Sequence, residues 1–285
     1  MNTTSLTAAI SAIKQDMHTA ITTASHQGKT YRDGLEAKTA LIRSERLIQR
    51  IHEITKVSLV NELNNRNLSH TIHPPLGENS PELNVWGLLK KKKQDIVAVM
   101  NYACPNPEVI IEGPMKGETD KLGKCSTKKA IVIGVRSQLS SIAKNFDTLM
   151  ERAFAETLNM RLRHPMLIMG EVYMLAVKDY DEQMMKKNQV GWKNSYTNVE
   201  RFISIFNGMK SERPNPNDVK EAYKYERSIL LLVDFSLSPP KIYTTIDELK
   251  ADGVVSPAFN EPYDQLSPLN FSRDLINTYV MRHQL

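Results

Sequence analysis

The sequence has few of the residues that disulfide bonds and zinc sites require, and it has no long apolar run of the kind that spans a membrane. Its 285 residues include two cysteines, Cys104 and Cys125. Two thiols without C-x-x-C spacing or neighbouring histidines do not indicate a zinc site. No stretch approaches the roughly 18 unbroken apolar residues of a membrane-spanning helix. The first residues also lack the basic segment and apolar run of a secretory signal. We therefore expect a cytoplasmic protein that makes no contact with a membrane.

Several common catalytic signatures are missing as well. There is no glycine-rich phosphate loop of the Walker or dinucleotide type, and no H-x-x-x-H or H-x-H pair of metal ligands. Ser137 and Ser140 have no evident histidine and aspartate partners, which argues against acyl transfer. These absences disfavour a nucleotide-dependent enzyme, a zinc enzyme and a serine hydrolase.

Positive charge is in excess and is concentrated in the middle of the chain. Lysine and arginine number 37 against 32 aspartates and glutamates, which gives a net charge of +5. Clusters of lysines in loops usually bind phosphate backbones, although a basic surface that only keeps the protein soluble remains the alternative. The clustered lysines are Lys90–Lys93, Lys116, Lys121, Lys124, Lys128 and Lys129.

The apolar pattern predicts an α/β protein. Residues 5–66 carry apolar side chains at three- and four-residue spacing, which is typical of helices. Apolar runs predict strands at 95–100, 130–136, 166–177 and 228–235. A helix beginning at Ser140 or Ser141 joins two of these strands into a βαβ unit. We expect a three-layer α/β/α fold with a mixed sheet. A helical N-terminal extension (1–70) and an α/β domain (71–285) would form one continuous domain.

Two charged residues lie at the ends of predicted strands. Asp95 begins one strand, although acids are depleted at such positions. Arg136 ends an otherwise apolar strand, so its charge must face water, an acid or a phosphate. Ligands of βαβ units bind beyond the carboxyl ends of the strands. We therefore expect function near Arg136, while Asp95 is either a solvated strand end or a placed ligand.

The helix that follows Arg136 supplies the nearest acids. Glu156 falls close to the apolar stripe of this helix, whereas Glu151 falls away from its centre. A carboxylate near a buried face needs an ion pair or a metal. Glu156 is therefore either an ion pair across the helix–sheet packing or a ligand. The stripe consists of Ile142, Phe146, Leu149, Ala153 and Thr157.

Four short segments occur in the order seen in a known family. They are Lys92–Val99, Val135–Gln138, Lys144–Asp147 and the pair Glu151-Arg152. Together they resemble the type II restriction endonucleases of the PD-(D/E)xK nuclease superfamily, nearest to the XhoI-like group. In that group an acid opens one strand, and a later strand carries E-F-K-S-Q into an asparagine-rich turn and an acidic helix. The resemblance covers roughly residues 88–177.

The resemblance implies a restriction-endonuclease-like α/β/α core and Mg²⁺-dependent hydrolysis of phosphodiester bonds in DNA. Asp95 matches the first metal-binding acid, and Gln138 matches the motif glutamine. Arg136 stands at the position of the motif lysine. An arginine cannot act as a base near neutral pH, although it can stabilise phosphate charge.

One position departs from the family pattern in a way that affects the metal site. Gly134 stands where the second acid should be. The resemblance implies that the following helix supplies this carboxylate, and we predict that Glu151 completes the metal site with Asp95. The alternative catalytic residues are Glu156 on the same helix, and Glu112 and Lys116 in a glycine-rich loop.

The same interpretation makes predictions about partners. The protein would act on double-stranded DNA as a homodimer, because two strands need two active sites. A cognate DNA methyltransferase would belong to the same restriction–modification system without direct contact. Two alternatives remain: a non-catalytic DNA-binding protein with a degenerate nuclease fold, and an unrelated cytoplasmic α/β protein. The predicted DNA-binding residues are Lys91, Lys92, Lys93, Ser137, Lys144 and Asn145.

Overall fold

The computed structural model describes residues 1–211 and 218–285, except for the side chains of residues 143–145. The helices in this part are α1 (Thr3–Thr23), α2 (Gly34–Arg43), α3 (Arg46–Asn65), α4 (Gly123–Thr127), α5 (Ile142–Arg161), α6 (Glu182–Lys186), α7 (Val199–Gly208), α8 (Ile246–Ala251) and α9 (Phe271–His283). None of these helices is long and apolar enough to cross a membrane.

The strands alternate with the helices along most of the described chain. They are β1 (Ser25–His26), β2 (Lys29–Thr30), β3 (His70–His73), β4 (Leu83–Trp86), β5 (Lys91–Gln94), β6 (Ile96–Met100), β7 (Glu108–Val109), β8 (Thr119–Asp120), β9 (Ile131–Gln138), β10 (Ile168–Ala176), β11 (Lys178–Tyr180), β12 (Trp192–Tyr196), β13 (Arg227–Asp234) and β14 (Lys241–Ile242).

A six-stranded mixed sheet forms the centre of the fold, in the order β14-β13-β10-β9-β6-β3. The three central strands β13, β10 and β9 run parallel, whereas β6, β3 and β14 pair antiparallel with their neighbours. Strands β9 and β10 are joined by α5, which confirms the predicted βαβ unit. Their near-continuous apolar character is expected, because parallel strands are covered on both faces.

Helices cover both faces of this sheet. On one face, α9 packs on β10, and a side chain at Gly170 would meet Phe271. On the other face, Tyr173 of β10 packs against Phe202 and Phe206 of α7, and Phe202 contacts Phe146 of α5. Positions 170 and 173 point to opposite faces because side chains alternate along a strand. The predicted mixed α/β architecture is confirmed.

The N-terminal helices pack directly on the sheet domain. Helix α1 contacts α2 and α3, and α3 contacts β9 and α9. A single buried apolar cluster extends from Leu6 of α1 to Tyr279 of α9. The buried Lys38 of α2 donates a hydrogen bond of 2.8 Å to the carbonyl of Leu139, just after β9. The small β1–β2 hairpin connects α1 with α2.

The chain between β3 and β9 builds a small unit beside the sheet, which we call the hairpin module. It consists of the β4–β5 hairpin (83–94) and of β7, β8 and α4 (108–127). Trp86, Ile110 and Met115 form its own apolar cluster. None of the strands predicted from the apolar pattern lies in this module, because its strands are short and its turns are rich in glycine and proline.

The last turn of α5 and the residues directly after it fix the module in place. The Asn159 side chain accepts a hydrogen bond of 2.8 Å from the Leu89 amide and donates one of 3.0 Å to the Lys90 carbonyl. Arg163 pairs with Glu108 and with the buried Asp120. Burial lowers the pKa of His164 to about 4, and its ring lies 2.7 Å from the Trp86 carbonyl. The neutral ring therefore donates this hydrogen bond.

Candidate active site

The candidate site is centred on Arg136, which projects from the carboxyl-terminal half of β9. Its Nη1 atom donates to Glu171 Oε1 of β10 at 2.8 Å, and its Nη2 atom pairs with Glu156 of α5. Burial works against the charged guanidinium, but the carboxylates of Glu171 and Glu156 outweigh it and raise the pKa of Arg136. The predicted strand-ending cation therefore lies among acids.

Glu171 occupies the space left by the missing side chain at Gly134. The two residues are register partners in the parallel pair of β9 and β10. A Cβ atom built at Gly134 would collide with the Glu171 carboxylate. A larger residue at position 134 would therefore require the Glu171 carboxylate to move, which accounts for the glycine in this strand.

Glu171 is shielded from solvent, and its surroundings disfavour the charged form of its carboxyl group. The residue is 1% exposed, and its Oε2 atom has no hydrogen-bond partner among the described residues. Burial raises the pKa of Glu171 to about 7, opposed by Arg136 and assisted by the negative charges of Glu156 and Asp95. A buried, unpartnered carboxylate oxygen costs free energy, and such groups are concentrated at functional sites.

Asp95 lies at the bend between β5 and β6, at the edge of the same cluster. Its Oδ2 atom accepts a hydrogen bond of 2.7 Å from the Val135 amide, next to Gly134. The half-buried side chain is close enough for its charge to raise the pKa values of Arg136 and Glu171. On the α3 side, burial lowers the pKa of His52, although Asp95 opposes that shift.

Glu156 joins the hairpin module to this cluster. The same oxygen, Oε2, pairs with Arg136 and with Lys92 of β5. Glu156 is almost completely buried, whereas Lys92 is partly open to solvent. The Tyr225 hydroxyl also lies in the cluster, where burial raises its pKa and a hydrogen bond with Arg136 opposes the rise. Of the residues predicted from sequence, the structure brings together Asp95, Arg136, Glu156 and Lys92.

The structure does not bring Glu151 into the cluster. Glu151 is exposed and makes no ion pair with the described residues. Five residues along an α-helix correspond to a rotation of about 140°, so Glu151 and Glu156 cannot face the sheet together. The carboxylates that share the cluster with Asp95 are those of Glu156 and Glu171.

Several other predicted residues lie away from Arg136. Gln138 is buried, and its side-chain amide donates a hydrogen bond to the Ser140 carbonyl, which is not part of the cluster. Glu112 is exposed and pairs with Lys124 at 3.5 Å, and Lys116 is exposed in the same loop. That loop belongs to the hairpin module and does not supply a second acid to the cluster.

Of the predicted DNA-binding residues, Lys92 lies in the cluster and others lie outside it. Lys91 is exposed and lies 3.6 Å from Glu118, and Lys93 is exposed on the same strand. Ser137 is half-buried on β9, one residue beyond Arg136. The side chains of Lys144 and Asn145 lie outside the described residues.

Glu171 is the residue of this cluster that was not predicted from the sequence. The run from 166 to 177 predicts a buried strand, and Glu171 is the only charged residue in it. That isolated acid was an available signal, because unpaired charges are rarely placed in buried strands. Its partner could not be identified from the sequence, since the pairing depends on the register of β9 against β10.

The cluster is rich in carboxylates but contains no complete metal cage. Among the described residues, no group of three or more histidine, cysteine, aspartate and glutamate side chains is arranged to hold a metal ion. Two cations, Arg136 and Lys92, instead neutralise the carboxylates of Glu171 and Glu156. Arg136 and Lys92 can together bind an anion. If an anion drew these cations away from Glu156 and Glu171, the carboxylate oxygens could act as metal ligands.

The packing of Gly134 against Glu171 leads to a stability prediction. Gly134→Ala should lower the free energy of unfolding by about 1–3 kcal/mol, because the added methyl overlaps the buried carboxylate. In a Glu171→Ala background the same change should cost much less, and in a Glu171→Gln background about as much as in the wild type. Urea unfolding of this double-mutant cycle measures the coupling. Equal costs in all three backgrounds would contradict the proposed contact.

Comparison of the chain with protein-family models, with curated proteins and with solved structures finds no match. The function is therefore inferred from the geometry and chemistry of the cluster.

Proposed function

We propose that this protein is a Mg²⁺-dependent endonuclease of the restriction type that cleaves double-stranded DNA, built on a restriction-endonuclease-like core. The observation that carries the proposal is the position of Glu171. Its carboxylate fills the space beside Gly134, in one cluster with Asp95 and Arg136. In this proposal, Glu171 on the adjacent strand takes the place of the acid that the family resemblance implies on β9.

The order of the elements supports the same interpretation. Asp95 directly precedes β6, and β6 pairs with β9, which carries Arg136 and leads into α5. The resemblance drawn from sequence requires an acid at the start of one strand and a cation on the next. Because β6 and β9 are antiparallel, Ile96 at the start of β6 pairs with Ile133, and Asp95 just before it accepts from the amide of Val135, the neighbour of Arg136.

The residues of the cluster fit a magnesium ion in part. Mg²⁺ prefers oxygen ligands, and proteins commonly hold it with one or two carboxylates while substrate phosphate supplies further ligands. Asp95 and Glu171 would hold the ion, and Glu171 Oε2 is buried and has no partner among the described residues. When bound, Mg²⁺ would polarise the scissile phosphate and lower the pKa of a water ligand.

The cations of the cluster have roles that follow from their chemistry. Arg136 stays protonated, so it orients Glu171 and Glu156 and stabilises negative charge on a bound phosphate. Lys92 is partly exposed and paired with Glu156, so an incoming phosphate can compete for its ammonium group. Neither residue is placed as a general base.

A homodimer completes the proposal. Each chain carries one cluster, and cleavage of both strands of a duplex requires two. A cognate methyltransferase would protect the host DNA, and its reading frame should adjoin that of this protein.

A specific observation favours a second candidate, a non-catalytic DNA-binding protein. Lys92 and Arg136 already neutralise Glu156 and Glu171, and a cluster of that kind could bind phosphate without cleaving it. In this case DNA would bind with a strong dependence on salt and would remain intact with every divalent metal.

A plasmid digest distinguishes these functions. The wild-type protein with Mg²⁺ should convert a plasmid into discrete fragments. Asp95→Asn should reduce the rate by at least about 100-fold, because it removes a ligand charge but keeps an acceptor for the Val135 amide. Asp247→Asn, which changes an exposed acid on α8, serves as the control.

Two outcomes would contradict the endonuclease proposal. Salt-dependent DNA binding without cleavage under any divalent metal would support the non-catalytic candidate. No salt-dependent affinity for DNA at all would exclude both candidates.

A further inference from the structure

The hairpin module presents an excess of positive charge to solvent. Its exposed acids, Glu112 and Glu118, are paired with Lys124 at 3.5 Å and Lys91 at 3.6 Å. Its other two acids, Glu108 and Asp120, pair with Arg163, which lies just after α5. The exposed lysines without an ion pair to the described residues are Lys90, Lys93, Lys116 and Lys121.

Exposed apolar side chains lie among these lysines. Leu89 is 59% exposed, Val109 60% and Ile111 77%. The turn that carries Leu89 contacts the loop after Ile111, since a Cβ atom at Gly113 would lie 3.3 Å from the Leu88 carbonyl. A surface that combines unpaired ammonium groups with methyl-bearing side chains suits a partner that is both anionic and apolar.

The module is held rigidly and adjoins the candidate active site. Helix α5 carries Glu156 and, one turn later, Asn159, which fixes the Leu89–Lys90 backbone. Lys92 of β5 enters the site through Glu156, whereas its neighbour Lys93 is exposed. A ligand on the exposed lysines of the module would therefore lie next to the strand that carries Lys92 into the cluster.

Duplex DNA is the partner that matches these features. Its backbone supplies closely spaced phosphates, and its major groove admits a two-stranded β-ribbon and exposes thymine methyl groups. An anionic membrane also attracts lysines and apolar side chains, but it does not account for the connection from β5 into the carboxylate cluster.

We infer that the hairpin module is the docking surface for duplex DNA, with Lys90, Lys93 and Lys116 on phosphates and Leu89 and Ile111 in a groove. The inference rests on the proposed function, because it assigns the surface that delivers DNA to the candidate active site. The inference also gives the β7–β8 loop, which does not supply an acid to the site, a role in binding DNA.

The salt dependence of DNA binding tests the inference. Affinity for a fluorescent duplex of mixed sequence is measured by anisotropy in EDTA over a range of salt concentrations. The triple variant Lys90→Gln, Lys93→Gln and Lys116→Gln should lower the slope of log K against log salt by about 2.7, since each phosphate contact contributes about 0.9. A control triple of exposed lysines outside the module, Lys29→Gln, Lys186→Gln and Lys187→Gln, should leave the slope unchanged.

The apolar contacts are tested separately. Leu89→Ser and Ile111→Ser should weaken DNA binding at every salt concentration without changing the slope, because they remove no phosphate contact. Both side chains are exposed, so the variants should keep the thermal stability of the wild type.

The outcomes separate this inference from the proposed function. A wild-type protein that binds DNA with an unchanged slope in the module triple would overturn the inference and leave the proposed function standing. A wild-type protein without salt-dependent DNA binding would overturn the proposed function. Binding of the module to phosphatidylserine vesicles, with no effect of the triple variant on DNA, would assign the surface to a membrane and overturn the inference.

Discussion

Glu171→Gln is expected to abolish the proposed DNA cleavage while the protein remains folded. Glutamine keeps the size of the side chain and an acceptor for Arg136, but it removes the negative charge that would hold Mg²⁺. We expect the rate of plasmid cleavage to fall by at least about 100-fold. Initial rates with saturating Mg²⁺, compared with the wild type at equal protein concentration, measure the effect.

Glu151→Gln is the matched control for this prediction. Glu151 is the acid predicted from the register of the sequence, and it is exposed on the far side of α5. The control should cleave DNA like the wild type. If Glu151→Gln lost activity and Glu171→Gln kept it, the assignment of Glu171 to the site would be contradicted. Glu151 would then be the metal ligand, as predicted from the sequence.

The same Glu171→Gln variant should be more stable than the wild type above about pH 7. Burial raises the pKa of Glu171 from 4.5 to about 7, so the folded protein binds this proton more tightly than the unfolded chain. Stability from this group is therefore complete below the unfolded pKa and is lost as the pH rises from about 4.5 to about 7. The full loss is about 3 kcal/mol.

Denaturant unfolding in EDTA across this pH range measures the difference. The stability of the wild type should fall relative to the variant as the pH rises, and the two should be equal at acidic pH. The charged or titratable groups around Glu171 are Arg136, Glu156, Asp95, Lys92, Tyr173 and Tyr225. A wild type that is the more stable protein at neutral pH would show that Arg136 fully compensates for the burial of Glu171.

Glu226→Ala is expected to be strongly destabilising. The Glu226 side chain is 0% exposed and accepts hydrogen bonds from Arg161, from Arg282 at 2.6 Å and from the Met169 amide at 2.7 Å. It joins the end of α5, the end of α9 and the start of β10. Its removal leaves two buried guanidinium groups without this carboxylate, which typically costs about 3–5 kcal/mol.

Urea unfolding with Glu62→Ala as the control tests this prediction. Glu62 lies 3.6 Å from Arg66 in a partly exposed pair on α3, and such pairs contribute about 0–1 kcal/mol. Glu226→Gln should be intermediate, because an amide oxygen still accepts from the Met169 backbone. Similar small losses for Glu226→Ala and Glu62→Ala would show that the buried network contributes little net stability.

The apolar stripe of α5 was a better guide to which acid faces the sheet than the spacing of the acids from Arg136. Five residues of that stripe predicted which face packs on the sheet, and Glu156 lies next to it. The structure places Glu156 inward and Glu151 outward, as the stripe indicated. Glu151 is favoured only by its spacing after Arg136, and spacing along the chain does not determine which side of a helix faces the sheet, since each residue adds a rotation of about 100°.

The hairpin module could be predicted only in part. The lysine block and the apolar strand after it were visible, but the pairing of Lys91–Gln94 with Leu83–Trp86 was not. Neither strand has a strong alternating pattern, because one consists largely of lysines. Its position depends on Asn159 and Arg163, which lie far along the chain from the residues that they hold.

The sequence by itself determined the βαβ unit, the mixed sheet and the two polar interruptions at Asp95 and Arg136. These features follow from local periodicity and from the cost of burying charge, both of which can be read along a single segment. Only the tertiary structure decided that Glu171 fills the place beside Gly134 and that Glu156 meets Lys92. Those contacts depend on strand register and helix rotation, which are set by packing between segments distant in the chain.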